Sequence, residues 1–142
     1  NAEANGIANA EFRCGKAEDL IAAVMAQVGS RPCVAIVDPP RNGLHTSVLR
    51  ALRECEGLRH LVYVSCNPTS WLDDAEKLCR PTSKNYRGEP FKPIRAVPVD
   101  LFPHTKHCEL VVHFERGASR ASGGAEVAAP PAASLPGAAP AE

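Results

Sequence analysis

The stretch CVAIVD, residues 33 to 38, decides the fold class of this chain of 142 residues. Five consecutive apolar residues that end on an acid are typical of a strand buried on both faces of a parallel sheet. A second strand of this kind, HLVYVSC, occupies residues 60 to 66. Parallel strands need a connection of a dozen or more residues, usually a helix, so the sequence predicts an α/β protein.

Segments with apolar residues at helical spacing alternate with these strands. Residues 17 to 28 (AEDLIAAVMAQV) precede the first strand, residues 47 to 56 (SVLRALRECE) follow it, and residues 69 to 80 (TSWLDDAEKLCR) follow the second. In the last helix Thr69 or Ser70 is the expected N-cap. The predicted inward residues of that helix are Trp71, Leu72, Ala75, Leu78 and Cys79.

Three further stretches are interpreted as strands. AEFRCG, residues 10 to 15, is a short first strand. IRAVPVDLF (94 to 102) and CELVVHFER (108 to 116) are joined by a short connection and are therefore expected to pair antiparallel. The predicted fold is a doubly wound α/β sheet, closed at one edge by this C-terminal hairpin.

Residues 117 to 142 differ in composition from residues 1 to 116, which form the predicted domain. They are mostly Ala, Pro, Gly and Ser, with too few large apolar side chains to offset the entropy of ordering, so we predict a disordered tail. The chain begins with Asn and not with Met, and we expect further domain sequence upstream.

Charge and cysteine content bound the function. Sixteen basic and sixteen acidic residues give zero net charge, which indicates no bulk attraction to nucleic acid or acidic lipid. No apolar run approaches the roughly 18 residues of a membrane span. Six cysteines without a CxxC pair are typical of reduced thiols in an intracellular protein.

Ligands of doubly wound sheets bind beyond the carboxyl ends of the strands, which directs attention to three loops. In the first, VDPPRNGL (37 to 44), Asp38 ends the strand and two prolines fix the backbone that follows. The carboxylate can accept hydrogen bonds from a nucleobase or an amino group, although a simple turn explains the same residues. Arg41 is a candidate for phosphate or carboxylate binding, or a solvated loop charge.

The second loop carries Cys66 at the end of the second strand, directly before an Asn-Pro turn and a helix. Proximity to a helix N-terminus favours the thiolate, which is the nucleophilic form of cysteine. Free cysteines are most often small buried apolar residues, as expected for Cys33 and Cys55. Position alone leaves both roles open for Cys66.

The third loop, VDLFPHTKHCEL (99 to 110), is rich in titratable groups. Glu109 begins an otherwise apolar strand and suits a general base; the alternative is an edge-strand charge that discourages aggregation. His104, His107 and Cys108 raise a zinc hypothesis, but no second ligand cluster accompanies them in the sequence, and no metal is predicted.

VDPPRNGL, YVSCNP and VDLFPHTKHCELV, in this order and spacing, resemble the catalytic core of the RNA uracil-5 methyltransferases, which use S-adenosylmethionine. The resemblance covers nearly all of residues 1 to 116 and implies that they are the C-terminal part of a Rossmann-like class I methyltransferase domain. It implies methylation of carbon 5 of a uridine in a tRNA loop, without metal or membrane, in the cytoplasm or the nucleus. It also implies that Cys66 is the nucleophile, Glu109 the proton-abstracting base and Asp38 a contact to the cofactor or the target base.

The chemistry of this reaction explains the residue types. Carbon 5 of uracil is a poor nucleophile, and addition of a thiolate to carbon 6 converts the ring into an enolate that accepts the methyl group. A carboxylate then removes the proton at carbon 5, and elimination expels the cysteine. The uridine must be unstacked and flipped to be reached. His104 and Arg41 are second-rank candidates for RNA contacts.

Some parts of the family's site fall outside this sequence. The glycine-rich cofactor loop and the acidic residue that holds the ribose hydroxyls would precede Asn1. Glu18 and Asp19 are candidates for the adenine end of the cofactor, or form a charge pair at a helix N-terminus. Two alternatives stay open: a methyltransferase for exocyclic amines, whose D-P-P loop usually has an aromatic residue where this chain has Arg41, and a fragment that is inactive or only interacts.

Overall fold

The computed structural model describes residues 1–105 and 107–117, so most of the predicted tail lies outside the described residues. Four strands, three α-helices and one short 3₁₀ turn follow one another along the described chain. Their bounds are Glu3–Asn5 for the 3₁₀ turn, then α1 (Ala17–Val28), β1 (Cys33–Val37), α2 (Thr46–Glu54), β2 (Leu58–Ser65), α3 (Pro68–Cys79), β3 (Lys92–Val99) and β4 (Glu109–Glu115). None of the described helices is long and apolar enough to cross a membrane.

The strands form one mixed sheet in the order β1–β2–β4–β3. β1 and β2 are parallel, whereas β4 runs antiparallel to both of its neighbours, β2 and β3. The α/β class and the antiparallel C-terminal hairpin are therefore confirmed, with β3 at one edge of the sheet and β1 at the other.

The hydrophobic core lies between the three helices and one face of the sheet. Alternate strand residues point into it, and Leu61, Tyr63, Val112 and Phe114 are fully buried. The predicted apolar stripe of α2 is confirmed, since its members are all buried there: Val48, Leu49, Leu52 and Cys55.

The opposite face of the sheet is not covered by a helix anywhere in residues 1–105 and 107–117. Val34 is 63% exposed and Ile36 is 73% exposed. The prediction that CVAIVD is buried on both faces is wrong for the described part of the chain, because β1 is an edge strand and packs only on its helix side. We call the uncovered side the open face of the sheet.

The predicted strand at residues 10 to 15 is also wrong. This segment is irregular, and Phe12 within it is 82% exposed. A strand needs a neighbour to satisfy its backbone hydrogen bonds, and among the described residues β1 pairs only with β2.

Helix α3 differs from its prediction at both its start and its inward stripe. Its N-cap is Asn67, whose Oδ1 accepts a hydrogen bond from the Thr69 backbone at 3.2 Å, and Pro68 follows at a position where a missing N–H costs little. Leu72 is 58% exposed, whereas Asp74 is buried with 2% exposure. A carboxylate thus takes a place on the helix surface that faces the core.

Two buried arginines, Arg53 and Arg116, hydrogen-bond backbone carbonyls around the C-terminal end of α2. Desolvation lowers the pKa of both guanidinium groups. Arg116 donates to the Leu58 carbonyl at 2.6 Å and lies 4.5 Å from the centre of the Phe91 ring. Arg53 donates five hydrogen bonds of 2.7 to 3.0 Å, to the carbonyls of Lys77, Leu78, Arg80, Arg87 and Gly88.

We expect the substitution Arg53→Ala to lower the free energy of unfolding by about 3 kcal/mol, because it removes a buried guanidinium and leaves three half-buried carbonyls without its hydrogen bonds. Arg50→Ala is the matched control, since Arg50 lies on the exposed side of the same helix and the change in helix propensity is identical. The control is expected to stay within about 0.5 kcal/mol of the unsubstituted chain. Urea unfolding followed by the fluorescence of Trp71, the one tryptophan of the sequence, measures both; equal effects would contradict the role given to Arg53.

Candidate active site

The pairing of β2 with β4 brings Cys66 and Glu109 together. The last paired residues of these strands are Ser65 and Leu110. Continued by one residue, the same register places Cys66 directly opposite Glu109, which itself pairs with Val99 of β3. Residues opposite each other on antiparallel strands have Cβ atoms about 5 Å apart. Extension of the register therefore predicts that a thiol and a carboxylate are neighbours at the end of the sheet where β2 stops and β4 begins.

Asp38 lies at the same end of the sheet, one residue beyond the carboxyl end of β1. It follows Val37, which pairs with Tyr63 near the end of β2, and its side chain is exposed. Since β1 and β2 are parallel, their carboxyl ends are on the same side of the sheet as the start of β4. Side chains alternate along a strand, and this alternation assigns Asp38 and Glu109 to the open face, as it does Cys66 one residue beyond β2.

The backbone on both sides of Cys66 is held by hydrogen bonds. The Ser65 hydroxyl, in a residue only 3% exposed, donates to the Asn67 carbonyl at 2.9 Å and accepts from the Asn67 backbone N–H at 3.2 Å. The Asn67 side chain donates to the Arg41 carbonyl at 2.9 Å. This amide therefore caps α3 and also ties the Cys66 turn to the loop that follows Asp38.

The loop between β3 and β4 lies at the same end of the sheet, since Val99 pairs with Glu109. The Asp100 carboxylate accepts from the Phe102 backbone at 3.1 Å, and the Thr105 hydroxyl donates to the Phe102 carbonyl at 2.8 Å. His104 has a φ of 66°, in the left-handed region that residues other than glycine rarely adopt. Leu101 is 61% exposed and Phe102 is 46% exposed, so the loop presents apolar side chains to its surroundings.

The zinc hypothesis gains no support from the structure. In the described part of the chain, no group of three or more His, Cys, Asp or Glu side chains is arranged to hold a metal ion. His104, His107 and Cys108 are all exposed in the loop before β4. Glu18 and Asp19 lie in the first turn of α1, where acidic residues interact favourably with the helix dipole.

The sequence suggests Asp38, Cys66 and Glu109 as candidate site residues, and it does not single out Ser65 or Asn67, which hold the Cys66 turn. The signal for Asn67 was present, because Asn directly before Pro at the start of a helical pattern is an N-cap signature. The bond from its amide to the Arg41 carbonyl joins two loops that are distant in sequence, and only the folded chain shows it.

The α/β fold brings the carboxyl ends of β1 and β2, with Asp38 and Cys66, to the same side of the sheet as the start of β4, with Glu109, which is where ligands of α/β sheets usually bind. The family model described as tRNA (Uracil-5-)-methyltransferase matches residues 4–117. The chain belongs to this family, which confirms the resemblance seen in the three motifs.

Several curated relatives share this part of the chain. The tRNA (uracil-5-)-methyltransferase homolog A of Homo sapiens is 49% identical over 116 residues, which are 82% of this chain and 19% of that protein. Homolog B of Danio rerio is 47% identical over 120 residues, or 82% of this chain and 25% of that protein. A zinc finger CCCH domain-containing protein 24 of Arabidopsis thaliana is 44% identical over 110 residues, or 58% of this chain and 14% of that protein. The chain thus spans a quarter or less of the length of these relatives.

Proposed function

We propose that this chain carries the nucleophile and the base of an S-adenosylmethionine-dependent enzyme that methylates carbon 5 of a uridine in a tRNA loop. The observation that carries the proposal is the pairing of Ser65 with Leu110, because extending this register by one residue sets Cys66 opposite Glu109. Membership of the family supports the same substrate class. Reduced cysteines and an RNA substrate favour the cytoplasm or the nucleus as the compartment.

Each residue has a defined task in this reaction. The Cys66 thiolate adds to carbon 6 of the uracil ring, and the electron pair of the carbon 5–carbon 6 double bond moves to the carbonyl at carbon 4. S-adenosylmethionine supplies the methyl group that carbon 5 receives. Glu109 removes the proton from carbon 5, and the electron pair of that carbon–hydrogen bond forms the carbon 5–carbon 6 double bond while the sulfur of Cys66 leaves with the pair of the carbon 6–sulfur bond.

The described residues fit one part of the cofactor. Asp38 and Pro39 lie at one end of an apolar groove of about 530 Å³ between α1 and β1, whose walls include Ile21 and Met25. An acceptor at the end of an apolar groove suits an amino group joined to a larger apolar body. We assign Asp38 to the amino end of S-adenosylmethionine or to the target base, and the open face of the sheet to the remaining layer of a Rossmann-like domain.

The substrate RNA would approach the end of the sheet that carries the three loops after β1, β2 and β3. Arg41 and His104 are exposed there and can contact phosphate, while the exposed ring of Phe102 offers a surface for an unstacked base. A methyltransferase for exocyclic amines is the second candidate, but it would leave the thiol and the carboxylate of Cys66 and Glu109 without a task.

Trapping with 5-fluorouridine tests the proposal. The full natural chain is incubated with S-adenosylmethionine and tRNA in which 5-fluorouridine replaces uridine. Fluorine at carbon 5 cannot be removed as a proton, so elimination stops and the enzyme should remain covalently joined to the RNA. We expect an adduct that survives denaturation and maps to Cys66 by peptide mass spectrometry. Uridine-containing tRNA is the control, and an adduct at another residue, or none, would refute the proposal.

A further inference from the structure

Asp74 is a buried carboxylate that the reaction does not use. It lies in α3 with 2% exposure, and its Oδ2 accepts two hydrogen bonds of 2.7 Å, one from the backbone N–H of Leu44 and one from the Tyr63 hydroxyl. Leu44 belongs to the loop after Asp38, and Tyr63 lies in β2, three residues before Cys66. One oxygen atom therefore joins the two segments that carry these candidate site residues.

The loop approaches this carboxylate as closely as its backbone allows. Gly43 has a φ of +80°, and a Cβ added there would lie 2.6 Å from Oδ2 of Asp74. Any larger residue would have to displace either the loop or the carboxylate. The contact therefore fixes the position of residues 39–44 and does not merely satisfy a free N–H.

The surroundings of Tyr63 keep its hydroxyl protonated. Desolvation, together with the hydrogen bond to Asp74 and its charge, raises the pKa of Tyr63, so its hydroxyl stays a donor. The Nζ atom of Lys77 lies 3.8 Å from Oδ1 of Asp74 and offsets part of its charge. Burial of a carboxylate is costly without such partners, and an apolar residue at this core position would avoid that cost.

A second contact holds the same loop from the same helix. The Asn67 amide, at the N-terminus of α3, donates to the Arg41 carbonyl at 2.9 Å. The loop after Asp38 is thus attached to α3 at Arg41 and at Leu44, and the start of this helix follows Cys66 directly. Helix α3 sets the distance between the two loops.

We propose that Asp74 is a positioning residue, which holds the Asp38 loop in register with the Cys66 turn through its bonds to Leu44 and Tyr63. The inference rests on the proposed function, because the loops need a fixed spacing only if Asp38 and Cys66 act on one bound substrate. Asp74 itself touches neither substrate nor cofactor in this assignment.

The rate of adduct formation on 5-fluorouridine tRNA, measured at saturating RNA in the full natural chain, tests this role. We expect Asp74→Ala to slow the adduct by about 10-fold or more, and Asp74→Asn, whose amide oxygen can accept both hydrogen bonds, to stay within about 3-fold of the natural chain. Since Asp74 acts through the Asp38 loop, adding Asp74→Ala to a chain that already carries Asp38→Ala should slow adduct formation by less than about 3-fold more.

Two further variants separate positioning from stability. Leu78→Ala removes a fully buried side chain one turn along α3 but leaves both hydrogen bonds of Asp74 in place, and it should form the adduct at the normal rate at a temperature where it is folded. Gly43→Ala breaks the same contact from the loop side, and it should reproduce the loss even if Asp74→Ala does not fold.

The outcomes are distinguishable. If Asp74→Ala or Gly43→Ala forms the adduct at the natural rate, the positioning role is overturned while the proposed function stands. The same holds if Asp74→Ala slows adduct formation by the same factor in the natural chain and in the Asp38→Ala chain. If the natural chain forms no adduct, the proposed function fails, and the positioning role fails with it.

Discussion

Replacing Cys66 with alanine is expected to abolish both the covalent adduct on 5-fluorouridine tRNA and the methylation of ordinary tRNA. Without a thiolate at carbon 6, carbon 5 never acquires the electron density needed to accept a methyl group. We expect methylation to fall by more than about 10⁴-fold, as for other enzymes that lose their nucleophile. Transfer of radioactive methyl groups from S-adenosylmethionine to tRNA measures the loss.

Cys108→Ala is the matched control for this prediction. Cys108 is the other free thiol in the three loops at the end of the sheet that carries Cys66. It is exposed and directly precedes Glu109 in sequence. The extended register of β2 and β4 sets Glu109, and not Cys108, opposite Cys66. Removal of the Cys108 thiol should therefore leave adduct formation unchanged. Persistent methylation by Cys66→Ala, or loss of the adduct in Cys108→Ala, would show that the nucleophile has been assigned to the wrong residue.

The substitution Glu109→Gln should separate the two halves of the reaction. Addition of Cys66 and methylation of carbon 5 need no base at that carbon, but removal of its proton does. We therefore expect an adduct that accumulates on ordinary uridine-containing tRNA and already carries the transferred methyl group. Turnover should fall by about 10² to 10⁴-fold, the usual contribution of a general base.

Denaturing gels with labelled S-adenosylmethionine would detect this adduct as a labelled protein–RNA band. Glu115→Gln is the control, since Glu115 belongs to the same strand and the same face but lies at its far end, opposite His60. The control should turn over normally and accumulate no adduct. Rapid turnover by Glu109→Gln would mean that another group removes the proton.

The sequence predicted the elements well where side-chain pattern decides them. Helix α1 has the predicted bounds, and the antiparallel hairpin follows from a connection too short for anything else. Residues 10 to 15 are not a strand, and CVAIVD is a strand that is buried on one face only. Both differences have one cause: composition shows that a segment can form a buried strand, but the strands and helices beside it decide whether it pairs and which of its faces are covered.

The candidate site residues that the sequence suggests are those whose chemistry is visible in their type and position. Asp38, Cys66 and Glu109 stand at strand ends, where the rule for α/β sheets directs attention. The pattern of apolar residues in α3 does not reveal Asp74, although it is three residues after Trp71 and four before Leu78, on the stripe that faces the core. A carboxylate at such a place is a signal that only a search for polar residues on an apolar stripe would find.

The antiparallel course of β4 limits how this region can vary. In a strand, a shift by one residue turns every side chain to the other face. Deleting a single residue of β4 after Glu109 would therefore turn the Glu109 side chain toward the helices and away from Cys66. The site would then be disrupted even if every one of its side chains were still present. Lengthening the loop before Glu109 would not alter this register. A change in length within residues 100–108 therefore leaves the register intact, whereas an insertion or deletion inside β4 changes which residue is opposite Cys66.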